Sequence, residues 1–180
     1  MTVVIVTARL VLRHASLDDA PFMLELLNDP DFVRCIGDRG VRTLEQAGTY
    51  ISERLIASYE SNGFGLYLAT RKSDAAPIGI CGLVKRVGLD DVDVGYALMP
   101  AYRGSGYAVE GAAATLAFAR ETLGLPRVVA IVRPDNVASI RLLESLGMTL
   151  EDTMRLEPGG PEISRYAITF TQVADPFGRS

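Results

Sequence analysis

The sequence predicts one domain, spanning residues 1–180, with a mixed α/β (α+β) fold. Three short segments between residues 64 and 99 show the pattern of successive antiparallel strands. A glycine-rich turn, Arg103–Gly106, then opens an alanine-rich helix. The nearly unbroken apolar run that follows, Arg127–Val132, is typical of a buried parallel strand. Antiparallel strands, a crossover helix and a parallel strand together form a mixed sheet.

The N-terminal third predicts a strand and two helices. Arg9–Arg13 alternates as a short strand, after which Ser16 is placed to cap a helix that Asn28–Pro30 ends. Thr43 and Gln46 have the spacing of a capping box at the start of a second helix. The apolar residues of that helix recur at the spacing of an amphipathic helix: Leu44, Ala47, Ile51, Leu55 and Tyr59.

The three central strands are predicted from alternation and turn residues. Phe64–Thr70 and Ile78–Val84 are joined by a polar turn, as in a hairpin. Val92–Met99 alternates in the same way and ends at Pro100, because proline has no N–H to give to a sheet.

The remaining elements complete the mixed sheet. We expect the crossover helix from Tyr107 to about Leu123. A further helix begins near Asn136 and is closed by Gly147. Ser164–Thr171 alternates as the last strand, and the tail after Ala174 is expected to fray.

Composition excludes several kinds of site. With one histidine, His14, and two distant cysteines, Cys35 and Cys81, the chain lacks the residues for a zinc site or a histidine-based triad, so we expect no metal.

The net charge of −4 argues against nucleic-acid binding, which normally needs a basic face, and favours a cationic acceptor. Met1–Val6 is too short for a signal sequence and no apolar run reaches membrane-spanning length. We therefore expect a cytoplasmic protein without membrane contact.

The glycine-rich turn predicts a phosphate site. A turn that opens a helix exposes several backbone N–H groups together with the positive end of the helix dipole, and both attract phosphate. The turn lacks the acidic residue of a dinucleotide fingerprint and the Gly-Lys-Ser/Thr ending of a nucleotide-binding P-loop.

The turn resembles the pyrophosphate-binding motif R-x-x-G-x-A of the GNAT N-acetyltransferases, through Arg103, Gly106 and Ala108. Y-R-G-S-G-Y-A-V-E is similar to the RimJ/RimL-type branch, the ribosomal-protein N-terminal acetyltransferases. R-P-D-N-V-A-S-I-R-L-L-E-S-L-G-M resembles the other half of the family's cofactor site, in the right order, and R-L-V-L-R resembles the branch's first strand. The resemblance implies a twisted, mainly antiparallel sheet of about six or seven strands, flanked by helices and splayed where the parallel strand joins.

The resemblance also implies how acetyl-CoA would bind. The pantetheine arm would lie between the splayed strands and pair with the backbone of Leu98 and Met99, while Asn136 would hydrogen-bond the arm. A backbone N–H on that strand would also stabilise the developing oxyanion. The remaining residues implied in cofactor binding are Arg103, Gly104, Ser105, Gly106, Tyr107, Ala108 and Ser139.

Two residues are implied in catalysis. Many relatives use a tyrosine to protonate the leaving thiolate, but that position is Leu143 here, and Ser139 is the substitute implied by the RimJ/RimL-type branch. Ser139 is equally interpretable as a first-turn helix residue bonded to backbone. Asp93 occupies the strand position of a base acting through water. Asp93 is at least as well interpreted as an ordinary polar residue on the wetter, more solvent-exposed face of the strand. Asp91 points the same way and could serve as the base in its place.

The function implied is acetyl-CoA-dependent N-acetylation of a primary amine, by direct attack on the thioester. The acceptor is a protein N-terminus or a small-molecule amine, and the protein is expected to be a monomer or homodimer. A non-catalytic acyl-CoA-binding sensor or interaction module is the alternative, because the usual tyrosine is missing and the base is ambiguous. A mononucleotide-binding protein is disfavoured by the mixed strand order and the absence of a P-loop lysine.

Overall fold

The computed structural model describes residues 2–170 and places eight strands in one sheet. The strands are β1 (Val3–Val6), β2 (Leu10–Arg13), β3 (Leu66–Arg71), β4 (Pro77–Val84), β5 (Asp93–Leu98), β6 (Arg127–Val132), β7 (Thr149–Met154) and β8 (Ile163–Thr169). Their order across the sheet is β1-β2-β3-β4-β5-β6-β8-β7. Within the described range every neighbouring pair is antiparallel except β5 and β6, which run parallel. The mixed, mainly antiparallel sheet predicted from the sequence is confirmed.

Eight strands are one or two more than the six or seven expected, and the two that were not predicted individually, β1 and β7, lie at the edges of the sheet. β1 pairs with β2, but its four residues are all apolar, so they show no alternation of polar and apolar positions. β7 is exposed along most of its length and therefore shows no buried face in the sequence. Thr171, the predicted end of the last strand, and the tail after Ala174 lie outside the described residues.

The helices are α1 (Ala20–Leu27), α2 (Pro30–Cys35), α3 (Leu44–Tyr50), α4 (Ala57–Asn62), α5 (Tyr107–Glu121) and α6 (Val137–Ser145). A π-helical segment, Ile51–Ile56, joins α3 to α4. The capping box of Thr43 and Gln46 is confirmed at the start of α3. Asn28–Pro30 ends α1 as predicted but also begins α2, because Asp29 accepts the Phe32 N–H and Pro30 takes the first helical position.

The two faces of the sheet are covered differently. Helices α5 and α6 cover one face, where strands β4, β5, β6 and β8 pack against residues such as Leu116 and Leu143. On the other face, α1 to α4 cover β3 to β5 in one cluster, while β6 and β8 contribute to a separate small cluster around Val129. Gly95 and Ala97, which alternation places on the same side of β5, are partly exposed, and Ala97 packs against the first of these clusters. We call the surface of β5 around these two residues the β5 face.

Over residues 2–170, no helix combines the length and the apolar character that crossing a bilayer requires.

Candidate active site

The parallel strands β5 and β6 separate immediately after they meet. Their register contains one paired position, Asp93 with Val129, where the Val129 N–H donates to the Val92 carbonyl at 2.9 Å. Beyond it the strands share no further paired position. The sheet is therefore splayed where the parallel strand joins, as the resemblance implied.

The ladder between β4 and β5 determines which backbone groups face this gap. The Met99 N–H donates to the Ile78 carbonyl at 2.9 Å, so this pair is hydrogen-bonded across the two strands. Because hydrogen-bonded and non-bonded pairs alternate in antiparallel sheets, the backbone groups of Leu98 and Tyr96 point away from β4, towards the gap. The Met99 carbonyl accepts from Tyr102 N–H at 3.0 Å. Both backbone groups of Met99 are thus engaged within the chain, whereas the Leu98 N–H and the Tyr96 backbone groups face the gap. The pairing of Leu98 and Met99 with the cofactor stays a prediction.

The glycine-rich turn has the backbone geometry that the sequence predicted. Gly104 and Gly106 both adopt left-handed conformations, with φ of 73° and 80°. Gly106 precedes the first residue of α5, a helix of 15 residues. A Cβ atom at Gly106 would be strained by this φ and would lie 3.3 Å from the Arg9 guanidinium. The turn is exposed at positions 104–106.

A polar network joins the glycine-rich turn and α5 to the connection between β1 and β2. The Glu110 carboxylate accepts from the Thr7 hydroxyl at 2.6 Å, the Arg9 N–H at 2.7 Å and the Arg9 Nε at 2.6 Å. Arg9 also donates to the Ser105 carbonyl at 2.9 Å and lies over the Tyr107 ring. Burial opposes ionisation of Glu110, but these bonds outweigh it and lower the pKa of the carboxyl. Nothing in the sequence pattern pointed to Arg9 as part of this network.

Arg103 is placed differently from expectation. Its guanidinium contacts the Asp29 carboxylate and pairs with Asp31 at 2.7 Å, while its Nε donates to the Leu98 carbonyl at 2.9 Å. Two carboxylates therefore compensate its charge, and it ties the end of β5 to α2. Its predicted contact with the cofactor phosphates stays a prediction.

The start of α6 brings Asn136 and Ser139 together. Asn136 is the N-cap of α6, in agreement with the helix start predicted near it, because its side-chain oxygen accepts the Ser139 N–H at 3.2 Å. The Ser139 hydroxyl lies beside the Tyr96 phenol: burial raises the pKa of Tyr96 to about 12, and Ser139 opposes that shift. Leu143 is 1% exposed and belongs to the core. Tyr96 was missed because strand alternation alone presented it as a core residue.

Asp93 lies at the root of the splay and is only 1% exposed, so its assignment to a wetter face is wrong. One carboxylate oxygen contacts the Arg86 guanidinium. The other accepts the Ile131 N–H at 3.3 Å, across the point where β5 and β6 part. Burial raises the pKa of Asp93, and the Arg86 charge acts against that shift. Asp91, the suggested substitute, pairs with Arg127 at 2.9 Å.

Among residues 2–170 there is no group of three or more histidine, cysteine, aspartate or glutamate side chains that could hold a metal ion.

Comparison with known proteins identifies the family. The sequence model of the acetyltransferase (GNAT) domain matches residues 9–149. The chain belongs to the GNAT acetyltransferase family. The uncharacterized N-acetyltransferase YnaD of Bacillus subtilis is 28% identical over 147 residues, which cover 82% of this chain and 83% of YnaD.

Solved structures of GNAT proteins share the fold. An acetyltransferase from Agrobacterium tumefaciens is 27% identical, with a TM-score of 0.78 over 94% of this chain and 96% of its own. RimL, the ribosomal L7/L12 α-N-protein acetyltransferase, is 20% identical in its coenzyme A complex, with a TM-score of 0.80 over 93% of this chain and 97% of RimL. This second likeness concerns the fold alone. The GNAT fold predicted from the sequence is thereby confirmed.

Proposed function

We propose that this GNAT protein transfers an acetyl group from acetyl-CoA to a primary amine, and that it belongs to the RimJ/RimL-like branch. The observation that carries the proposal is the splay between β5 and β6, whose opening leads to the exposed glycine turn at the start of α5. RimL shares this fold and its solved structure contains coenzyme A. The N-terminus of a protein or a small-molecule amine would be the acceptor.

The residues around the gap fit the chemical parts of acetyl-CoA. Residues 104–108 would bind the pyrophosphate through backbone N–H groups at the N-terminus of a long helix. The Leu98 N–H would pair with the pantetheine arm, because a polar group that faces an open strand edge requires a partner, whereas the Leu98 carbonyl accepts from Arg103. The Asn136 side chain at the first turn of α6 would contact the same arm. When bound, acetyl-CoA supplies the activated acetyl group as a thioester.

The reaction needs few groups from the protein. An amine attacks only when unprotonated, and α-amines titrate at about 8 whereas lysine titrates at about 10.4. The amine nitrogen forms a bond to the thioester carbon, the C–S bond then breaks, and the amine loses a proton. The departing thiolate takes up one proton and becomes the thiol. Backbone N–H groups at the gap would stabilise the oxyanion, and positioning would supply much of the acceleration.

Ser139 is our candidate for protonating the thiolate, supported by Tyr96. Asn136 caps α6, so the Ser139 hydroxyl is not needed for that purpose. Its neighbour Tyr96 stays protonated at neutral pH, because burial raises its pKa to about 12. The phenol can therefore orient the serine hydroxyl and replace its proton.

Asp93 is better suited to positioning than to acting as a base. Both of its carboxylate oxygens are engaged, one by Arg86 and one by the Ile131 N–H. A base must have an oxygen that can reach the proton it removes. We propose that Asp93 holds β5 and β6 at the angle that opens the gap, while water takes the amine proton.

The proposal is tested by thiol release from acetyl-CoA with a panel of primary amines. Acetyl transfer predicts amine-dependent release of the thiol and a mass increase of one acetyl group on the acceptor. A sensor module would bind acetyl-CoA, as measured by calorimetry, and release no thiol with any amine or N-terminal peptide. Absence of both binding and release would overturn the cofactor assignment itself.

A further inference from the structure

A shallow cleft of about 280 Å³ lies against α3 and the π-helical segment. Its lining residues include Arg39, Val41, Gln46, Tyr50, Glu53 and Arg54. Tyr50 lines the cleft and also packs against the apolar cluster to which Ala97 and Met99 contribute. π-Helical segments are uncommon and occur frequently at functional sites. Here the segment places Arg54 on the wall of the cleft.

Arg39 and Arg54 line the cleft together with Tyr50. Burial raises the pKa of Tyr50, and the positive charges of Arg39, Arg54 and Arg86 act against that shift. Arg86 is paired with Asp93 at the root of the splay.

The positive charges of Arg39 and Arg54 are not paired with an acidic side chain in the part of the chain that the structure describes. The ion pairs within residues 2–170 involve neither of them. Glu53 also lines the cleft, but it is exposed and forms no ion pair among the same residues. Two uncompensated guanidinium groups in one concavity are suited to a planar anion, because each can donate two parallel hydrogen bonds to a carboxylate.

We infer that the acceptor carries a carboxylate near its amine and that Arg39 and Arg54 bind this carboxylate. The inference rests on the proposed function, since it names the acceptor of the same reaction. In the proposed arrangement the carboxylate occupies the cleft and the amine of the same molecule lies at the β5 face. Tyr50 is shared by the two regions, since it lines the cleft and packs against the same apolar cluster as Ala97.

The local charge of the cleft is opposite to the net charge of the chain. The net charge of −4 favours a cationic acceptor when the protein is treated as a whole. At the cleft, however, the nearest charged groups are arginines, and one acidic residue opposes them. The acceptor is therefore a molecule that carries both charges, an ammonium group and a carboxylate.

Two sources supply this chemistry, a free amino acid and a peptide whose first residues include aspartate or glutamate. The experiment compares free amino acids with their amides, and short peptides bearing Asp or Glu at the second position with their Asn or Gln counterparts. We expect kcat/KM for the carboxylate member to exceed that of the neutral member by about 10- to 100-fold in one of the two arms. The arm that shows the difference identifies the source.

The Arg39→Gln, Arg54→Gln double variant tests the residues. It should remove most of the preference for the carboxylate member, through a raised KM, and leave the neutral member and the KM for acetyl-CoA unchanged. Arg120→Gln is the matched control, because Arg120 is an exposed arginine near the far end of α5. Circular dichroism melts of the three proteins show that they are folded.

The outcomes separate this inference from the proposed function. Acetylation of amines with equal kcat/KM for charged and neutral members overturns the inference and leaves the proposed function standing. A preference for carboxylates that survives the double variant overturns the assignment to Arg39 and Arg54. Absence of thiol release with every acceptor overturns both.

Discussion

Replacing Asp93 distinguishes catalysis from positioning, because asparagine keeps one of its two contacts. The Asn side-chain oxygen can still accept the Ile131 N–H, whereas alanine cannot. If Asp93 were the general base, both variants would lose turnover by about 10²- to 10⁴-fold. If it positions the strands, Asp93→Asn should keep turnover within about tenfold of wild type, and Asp93→Ala should fall further.

The expected loss of stability follows from the same contacts. Removing one partner of a buried ion pair costs about 3–5 kcal/mol. Arg86 keeps 27% of its side chain exposed and can be hydrated, and burial already disfavours the ionised form of Asp93, so we expect a smaller loss, about 1 kcal/mol, for Asp93→Asn. Asp93→Ala also leaves the Ile131 N–H without its partner, which adds about 1–3 kcal/mol. Thermal melts should therefore rank wild type above Asn and Asn above Ala.

The assay is single-turnover thiol release at saturating acetyl-CoA, scaled by the fraction of protein that binds acetyl-CoA in calorimetry. Scaling removes the contribution of unfolded protein. Equal inactivity of Asp93→Asn and Asp93→Ala, in preparations that fold and bind acetyl-CoA, would refute the positioning role and restore Asp93 as the base.

Three further predictions concern the cofactor site. Gly106→Val should weaken acetyl-CoA binding at least about tenfold in calorimetry, because valine is strained at this left-handed position; a folded variant with wild-type affinity would contradict it. Ser139→Ala should lower turnover about 100-fold with acetyl-CoA affinity retained, and turnover within about twofold of wild type would exclude the proton-donor role. Glu110→Gln should be less stable than wild type above about pH 4.3, and the difference should shrink as the pH falls further, because the lowered pKa of Glu110 stabilises the folded state only while the carboxyl is ionised. The last prediction would be wrong if thermal melts showed the same difference in melting temperature between wild type and Glu110→Gln at every pH in this range.

The sequence predicted the central elements because their signals are local. Gly104 and Gly106 lie where the backbone turns into α5, and the strand Arg127–Val132 has the bounds predicted. Edge strands were missed, since β7 buries almost no side chain and therefore leaves no alternation to detect.

Charged contacts between distant segments could not be predicted in the same way. Glu110 meets Thr7 and Arg9 across about a hundred residues, and Arg103 meets Asp29 across 74. No spacing along the chain encodes such pairs, because the sheet and helices bring them together. The same reason explains why Asp93 was placed on a wet face: its partner Ile131 comes from a strand 38 residues away.

The most direct test of the account compares acetyl-CoA with acetylpantetheine, which lacks the phosphates, in calorimetry and in thiol release with the acceptor panel. The glycine turn and the splay together predict that acetyl-CoA binds more tightly and that the protein then releases thiol in the presence of an amine. Equal affinity for the two thioesters would contradict the phosphate site at Gly104–Ala108. Tight binding of acetyl-CoA without thiol release from any acceptor would contradict acetyl transfer.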